Sequence, residues 1–186
     1  MKRTWPKLAL LWLVIGASGC LRAVQHEQGA LVGKMRFTPP PEWSVTRNYR
    51  YLGSHNVVLR SPNGQASLSI QLLPLERRAQ AVPLDLLGET LLGNAGRRLG
   101  IETTLTTQHE VVVANRRGFA FTGWRRHGPN QTDLTALVSR TESHTLLVTL
   151  STPRQTVSEY AGVMQLVMES IEVPDQPAPP ARLDSW

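Results

Sequence analysis

Apolar and polar positions alternate most cleanly from Gln65 to Leu73. Leu68, Ile70 and Leu72 fall on one side, and Ser67, Ser69 and Gln71 on the other. A period of two marks a half-buried strand. Shorter stretches of the same kind predict strands over Lys34–Thr38, Ser44–Tyr51 and His55–Arg60. Pro39-Pro40-Pro41-Glu42-Trp43 ends the first of these, since proline cannot donate to a ladder, and Pro62-Asn63-Gly64 turns the chain ahead of the alternating stretch. From Pro83 to Leu99 the period lengthens. Leu84, Leu87, Leu91 and Ala95 follow helical spacing, Pro83 suits a first turn, and Gly100 stands where a helix stops. Gly88, Gly93 and Gly96 weaken this helix by up to about 1 kcal/mol each relative to alanine.

Strands then return. Glu110–Ala114 and Gly118–Arg126 read as a hairpin around Asn115-Arg116-Arg117-Gly118. Thr132–Thr141 and Thr145–Ser151 read as a second around Glu142-Ser143-His144. Thr156-Val157-Ser158-Glu159 has capping-box spacing and opens a second helix, whose apolar stripe is Val157, Tyr160, Met164, Val167 and Ile171. The order of strands, helix, strands, helix, with hairpins dominant, predicts an α/β (α+β) fold: a mainly antiparallel sheet with helices packed on it.

The ends of the chain have a different character. Lys2, Arg3 and Lys7 precede the apolar run Leu8 to Ile15, which is too short to span a bilayer needing about 20 residues. Small residues and Cys20 follow, as in a secretory signal. Ala17-Ser18-Gly19-Cys20 resembles the lipobox of bacterial lipoproteins, with Ala17 in place of the commoner leucine. That resemblance implies cleavage before Cys20 and acylation of its thiol and new amino terminus. It also implies, through Leu21 rather than aspartate after the cysteine, the periplasmic face of the outer membrane. Cys20 is the chain's one cysteine and has no intramolecular disulfide partner, which suits a thioether link. Residues 1–19 are thus read as a signal peptide, and 20–33 as the lipidated cysteine and a polar tether. Residues 34–173 are read as one domain. Pro174 to Trp186, rich in proline and without apolar period, reads as a disordered tail.

The leader takes with it three of the 20 Lys and Arg and none of the 14 Asp and Glu, so the formal charge of +6 falls to +3. Location and modest charge together argue against a nucleic-acid partner. At 41% hydrophobic, the full sequence has the composition of a globular chain.

Within 34–173, Phe37-Thr38-Pro39-Pro40-Pro41-Glu42-Trp43, the turn and strand from Pro62 to Leu73, the mid-chain helix, the spacing of Val111 to Gly118-Phe119-Ala120-Phe121, and the exit Ile171-Glu172-Val173 resemble the PsbP/Mog-type family. Small DcrB-like lipoproteins of that family share the plan of lipobox, tether and one domain. The resemblance implies an α/β/α sandwich around an antiparallel sheet, used mainly for protein contacts and without a shared active site. It carries no binding residue across.

Candidate chemistry is sparse. His26, His55, His109, His127 and His144 are widely spaced, with no paired-cysteine or H-E-x-x-H pattern, so no metal or other cofactor is expected. The mature chain has no G-x-S-x-G, and Gly93-Asn94-Ala95-Gly96 is not a phosphate loop. Its glycines are read instead as letting the helix approach the sheet. Trp43, Trp124, Phe119 and Phe121 read as packing residues. The distinctive surface feature is paired arginine. Arg116, Arg117, Arg125 and Arg126 are the candidate partner-binding residues, since guanidinium forks meet phosphate or carboxylate. Adjacent strand residues point to opposite faces, so Arg125 and Arg126 share a patch only where the strand has ended. The expected function is that of a non-enzymatic envelope lipoprotein, anchored to the membrane through Cys20 and binding an envelope protein. The alternative is a carrier of a small apolar ligand or lipid.

Overall fold

The computed structural model describes residues 30–32, 35–51, 53–97, 100–113 and 115–172. The leader, Cys20 and the proline-rich tail lie outside these residues. Nine strands are described: β1 Ala30–Val32, β2 Met35–Phe37, β3 Ser44–Tyr51, β4 Ser54–Arg60, β5 Ser67–Pro74, β6 Glu102–Val113, β7 Arg116–His127, β8 Asn130–Arg140 and β9 His144–Pro153. The helices are α1 Arg77–Gln80, α2 Leu84–Arg97 and α3 Ala161–Ser170, the last entered through a 3-10 turn, Val157–Tyr160. Seven strands form one sheet in the order β3-β4-β5-β9-β8-β7-β6, with every neighbouring pair antiparallel. β1 and β2 form a separate ribbon.

The two faces of the sheet are covered differently. On one face α3, the 3-10 turn and β2 enclose Val57, Leu59, Leu68, Ile70, Leu146, Val148 and Leu150, with Phe37 and Met35 fully buried against them. On the other, α2 packs over β6, β7 and β8 and buries Leu92, Phe121, Leu134, Ala136, Val138 and Leu147. The alternation read from the sequence decides which residues enter which core. Leu146 and Leu147 are neighbours in β9 and belong to different ones. This is a helix–sheet–helix sandwich.

Several local expectations are corrected. β6 begins at Glu102 rather than Glu110, so the first long hairpin has 12-residue arms and turns at Asn115, whose φ is 60°. Arg116 and Arg117 are therefore strand residues, not turn residues. The capping box does not form. Thr156 makes no side-chain cap bond; its hydroxyl donates to Pro153 O, and the Glu159 amide takes Thr156 O in a 3-10 bond. The true helix starts at Ala161, and Val157, placed on the stripe, is exposed. β1 falls inside the stretch read as a tether, and α1 occupies Arg77–Gln80. The glycine that lets α2 approach the sheet is Gly88. At Gly93 the nearest atom to an added Cβ is an arginine tip 3.9 Å away. The stop at Gly100 forms as expected: its φ is +65° and its amide reaches Arg97 O at 3.2 Å.

Candidate functional site

Among the described residues the diagonal cover leaves two quarters of the sheet without a helix. On the α2 side, β3, β4 and β5 present a polar ladder. Asn56 Nδ2 donates to the Tyr49 hydroxyl at 2.9 Å, Ser69 Oγ to Asn56 Oδ1 at 3.1 Å, and Gln71 Nε2 to Ser69 Oγ at 3.2 Å. These groups satisfy one another in partial exposure to water, which explains why a row of polar side chains stands where a core would otherwise be. On the α3 side, β6 and β7 present Thr104, Thr107, Thr122 and His109 around Trp124, with the Arg126 guanidinium 5.9 Å from the Trp124 ring centre.

The candidate arginines all lie on β7, and strand geometry separates them. Arg116 and Arg126 share a face but stand ten residues apart, about 34 Å at a strand's rise. Arg117 and Arg125 share the other, about 27 Å apart. They do not form one patch. Arg117 is bound to Glu110 on β6 at 2.9 Å and lies 5.7 Å from the Phe119 ring centre. Arg126 is bound to Glu102 on β6. Arg116 is engaged as well. Arg125 differs. It packs on the α2 side, and burial pushes its guanidinium below the ordinary value. Its buried Nε has no hydrogen-bond partner among the described residues.

Sequence reasoning missed the edge of the sheet. Among the described residues β6 is an end strand, paired only with β7. Between Thr106 and Glu110 every residue is exposed, and Val112 is 69% exposed. A bulge between Leu105 and Thr107 interrupts the register, after which Thr107 to Val113 runs without interruption. Natural edges are usually guarded by lysine, proline, inward charge or a bulge, and the bulge here ends before Thr107. The β6 sequence ETTLTTQHEVVV has neither lysine nor proline, and both its glutamates are neutralised by arginines of β7. The opposite edge, β3, carries Arg47 and Arg50. The signal available in the sequence was the threonine-rich run, since threonine favours strands.

A second cluster lies at the other end of β4. His55 is pushed below its ordinary pKa by burial, then by Arg50 and His144, and burial lowers His144 as well. Ser143 Oγ lies 2.7 Å from His144 Nδ1. Among the described residues no group of three or more histidine, cysteine or carboxylate side chains comes together as a metal site.

No protein-family model matches the sequence, and no curated protein sequence does. Solved structures do match. The fold is PsbP-like. It is similar to cyanobacterial PsbP (CyanoP) from Synechocystis sp. PCC 6803, with a TM-score of 0.58 and 14% identity over 75% of this chain and 86% of that one. Weaker likenesses are to PA94 of Pseudomonas aeruginosa, described as a putative regulator (TM-score 0.49, 11% identity, 72% of this chain and 100% of that one), and to LpqN of Mycobacterium tuberculosis, described as involved in cell envelope biogenesis (0.41, 7%, 76% and 83%). At these identities the likeness is one of fold.

Proposed function

We propose that this chain is a lipid-anchored envelope protein that binds a protein partner and does no chemistry, and that the partner adds a strand to β6. The observation that carries the reading is the Thr107–Val113 stretch, uninterrupted beyond the bulge, of an edge without lysine or proline whose glutamates are neutralised. Such an edge offers a row of main-chain donors and acceptors, and an extended segment laid antiparallel on it gains those bonds together with side-chain contacts on alternate positions. Anchoring through Cys20, on the periplasmic side of the outer membrane, supplies the second half of the argument. A short tether raises the effective concentration of neighbouring envelope proteins, so a modest affinity suffices.

The carrier alternative requires a pocket on the order of 300–1,000 Å³. Less favours it: beneath α2, a methyl group at position 88 would already meet the Phe121 ring at 2.5 Å.

Two experiments test the proposal. Cys20→Ser is expected to abolish incorporation of labelled fatty acid; undiminished labelling contradicts the anchor. A photocrosslinking residue at His109 or Val112, in intact cells, is expected to capture an envelope protein, with Thr107→Lys reducing the yield. Capture from Tyr49 on β3 but not from β6 would place the interface on the other edge.

A further inference from the structure

The open edge of β6 has a sequence that can pair with itself. Gln108 and Glu110 are register partners of Phe121 and Phe119 and face α2. Thr107, His109 and Val111 face the other way, with Val111 packed against the core beneath α3. Let this stretch lie antiparallel on a copy of itself, about a two-fold axis through His109 and perpendicular to the sheet. Gln108 then meets Glu110 on the α2 face, and Thr107 meets Val111 on the other. An amide donor stands opposite each carboxylate, and a β-branched residue opposite each valine, both favourable cross-strand pairs. Glu110, bound to Arg117, adds no net charge to the edge. The neighbouring symmetric registers are poorer. An axis at Glu110 sets carboxylate against carboxylate, and one at Val111 sets Glu110 against Val112. An axis at Gln108 runs the pairing into the bulge between Leu105 and Thr107. Residues 106–110 are exposed, and so is Val112, which leaves the stretch open on both faces.

The start of the chain favours the same arrangement. Residues 1–29, with Cys20, lead into β1, and the β1–β2 ribbon lies on the α3 face, where Met35 and Phe37 enter the core. A two-fold axis perpendicular to the sheet keeps the α3 faces of both copies on one side of the pair. Both anchored segments then start toward one membrane, whereas an axis lying in the sheet sends them to opposite sides. Copies held on one membrane also meet at raised effective concentration, so a short pairing suffices.

We propose that the strand added to β6 is β6 of a second copy of this chain. Thr107–Val111 of the two copies pair antiparallel about His109 and join two seven-stranded sheets into one. This rests on the strand-addition reading and on the Cys20 anchor, and it names the partner.

The test is disulfide trapping of the full chain in intact cells, where Cys20 is the one native cysteine. Directly opposite residues of an antiparallel pair have Cβ atoms about 4.5–5.5 Å apart, which a disulfide bridges after slight adjustment. Diagonal neighbours stand about 7–8 Å apart, beyond its reach. His109→Cys is therefore expected to form a disulfide-linked dimer of this chain, and Gln108→Cys alone no more dimer than the unaltered chain. Gln108→Cys and Glu110→Cys, carried on two differently tagged copies, are expected to join. Failure of both His109→Cys and the mixed pair would overturn the proposal, as would Gln108→Cys dimerising as readily as His109→Cys. A photocrosslinking residue at Val112 separates this result from the wider reading. Capture of a different protein removes the second copy and leaves strand addition standing; no capture from β6 removes both. His109→Lys sets like charges opposite each other at the axis and is expected to cut the Val112-crosslinked dimer about five-fold. An unchanged yield would overturn the pairing about His109.

Discussion

Gly88 of α2 and Phe121 of β7 are so close that a Cβ built at position 88 would lie 2.5 Å from two carbons of the ring. Phe121 is fully buried, and Val138 Cγ2 stands at 3.2 Å from the same point, so the ring has little room to yield. Gly88→Ala is therefore expected to destabilise by about 1–3 kcal/mol through overpacking, against the helix preference of alanine. Gly93→Ala, in the same helix but with open space around it, is expected to stabilise by up to about 1 kcal/mol. Urea midpoints of the two variants should move in opposite directions; a gain for both would show a looser contact at Phe121.

Tyr160 joins the 3-10 turn to the other end of the sheet. Its ring meets Trp43 edge-on at 6.1 Å, and its hydroxyl accepts from Asn63 Nδ2 at 3.1 Å. Asn63 Oδ1 in turn accepts from Ser61 Oγ and the Gln65 amide, holding the turn before β5. Tyr160→Phe is expected to lose about 1 kcal/mol, one hydrogen bond's net contribution. Tyr160→Ala is expected to lose about 3–5 kcal/mol, the cost of removing a buried aromatic. Chemical denaturation separates the two; similar losses would mean that the hydroxyl, not the ring, carries the contact.

The His55 and His144 pair predicts a pH dependence. Both imidazoles are held below their ordinary value, by burial in each and by Arg50 and His144 in the case of His55. The folded chain therefore binds fewer protons than the unfolded chain near pH 6, and stability rises with pH there. The contribution is fully present above about pH 6.5 and is lost as pH falls through the depressed folded values. The urea midpoint is expected to drop between pH 8 and pH 5, and His55→Asn with His144→Asn to flatten that drop. A double variant with an unchanged pH profile would remove these residues from the account.

The last helix should be indispensable. Met164, Val167 and Ile171 are 5%, 0% and 3% exposed, and Glu172 bridges Arg36 of β2 through two main-chain bonds of 2.9 and 3.0 Å. Each buried apolar side chain contributes roughly 1.5–3 kcal/mol, against a total stability of about 5–15 kcal/mol. A chain ending at Gly162 is expected to remain unfolded by circular dichroism. One ending at Val173 is expected to melt within a few degrees of the full chain. Cooperative melting of the shorter chain would show that α3 is dispensable.

The sequence by itself determined the strands and helices that bury one face, because burial of one face writes a period into the chain. Leu68, Ile70 and Leu72 announce β5, and Leu84, Leu87 and Leu91 announce α2. It also determined that Arg125 and Arg126 face opposite ways, since alternation is a property of the strand alone. What only the tertiary structure decided lies where no face is buried or where distant elements meet. Residues 106–110 of β6 are exposed on both sides and so carry no period, although they form the edge on which the proposed function rests. The capping box at Thr156 was a local pattern with a competing local solution, the 3-10 bond to Glu159, and the sheet's demand for a buried Tyr160 fits the second. That Gly88 rather than Gly93 touches the sheet follows from where α2 lies on β6, β7 and β8. That placement is set by packing between residues more than 30 positions apart in the chain, such as Gly88 and Phe121, and no local pattern encodes it.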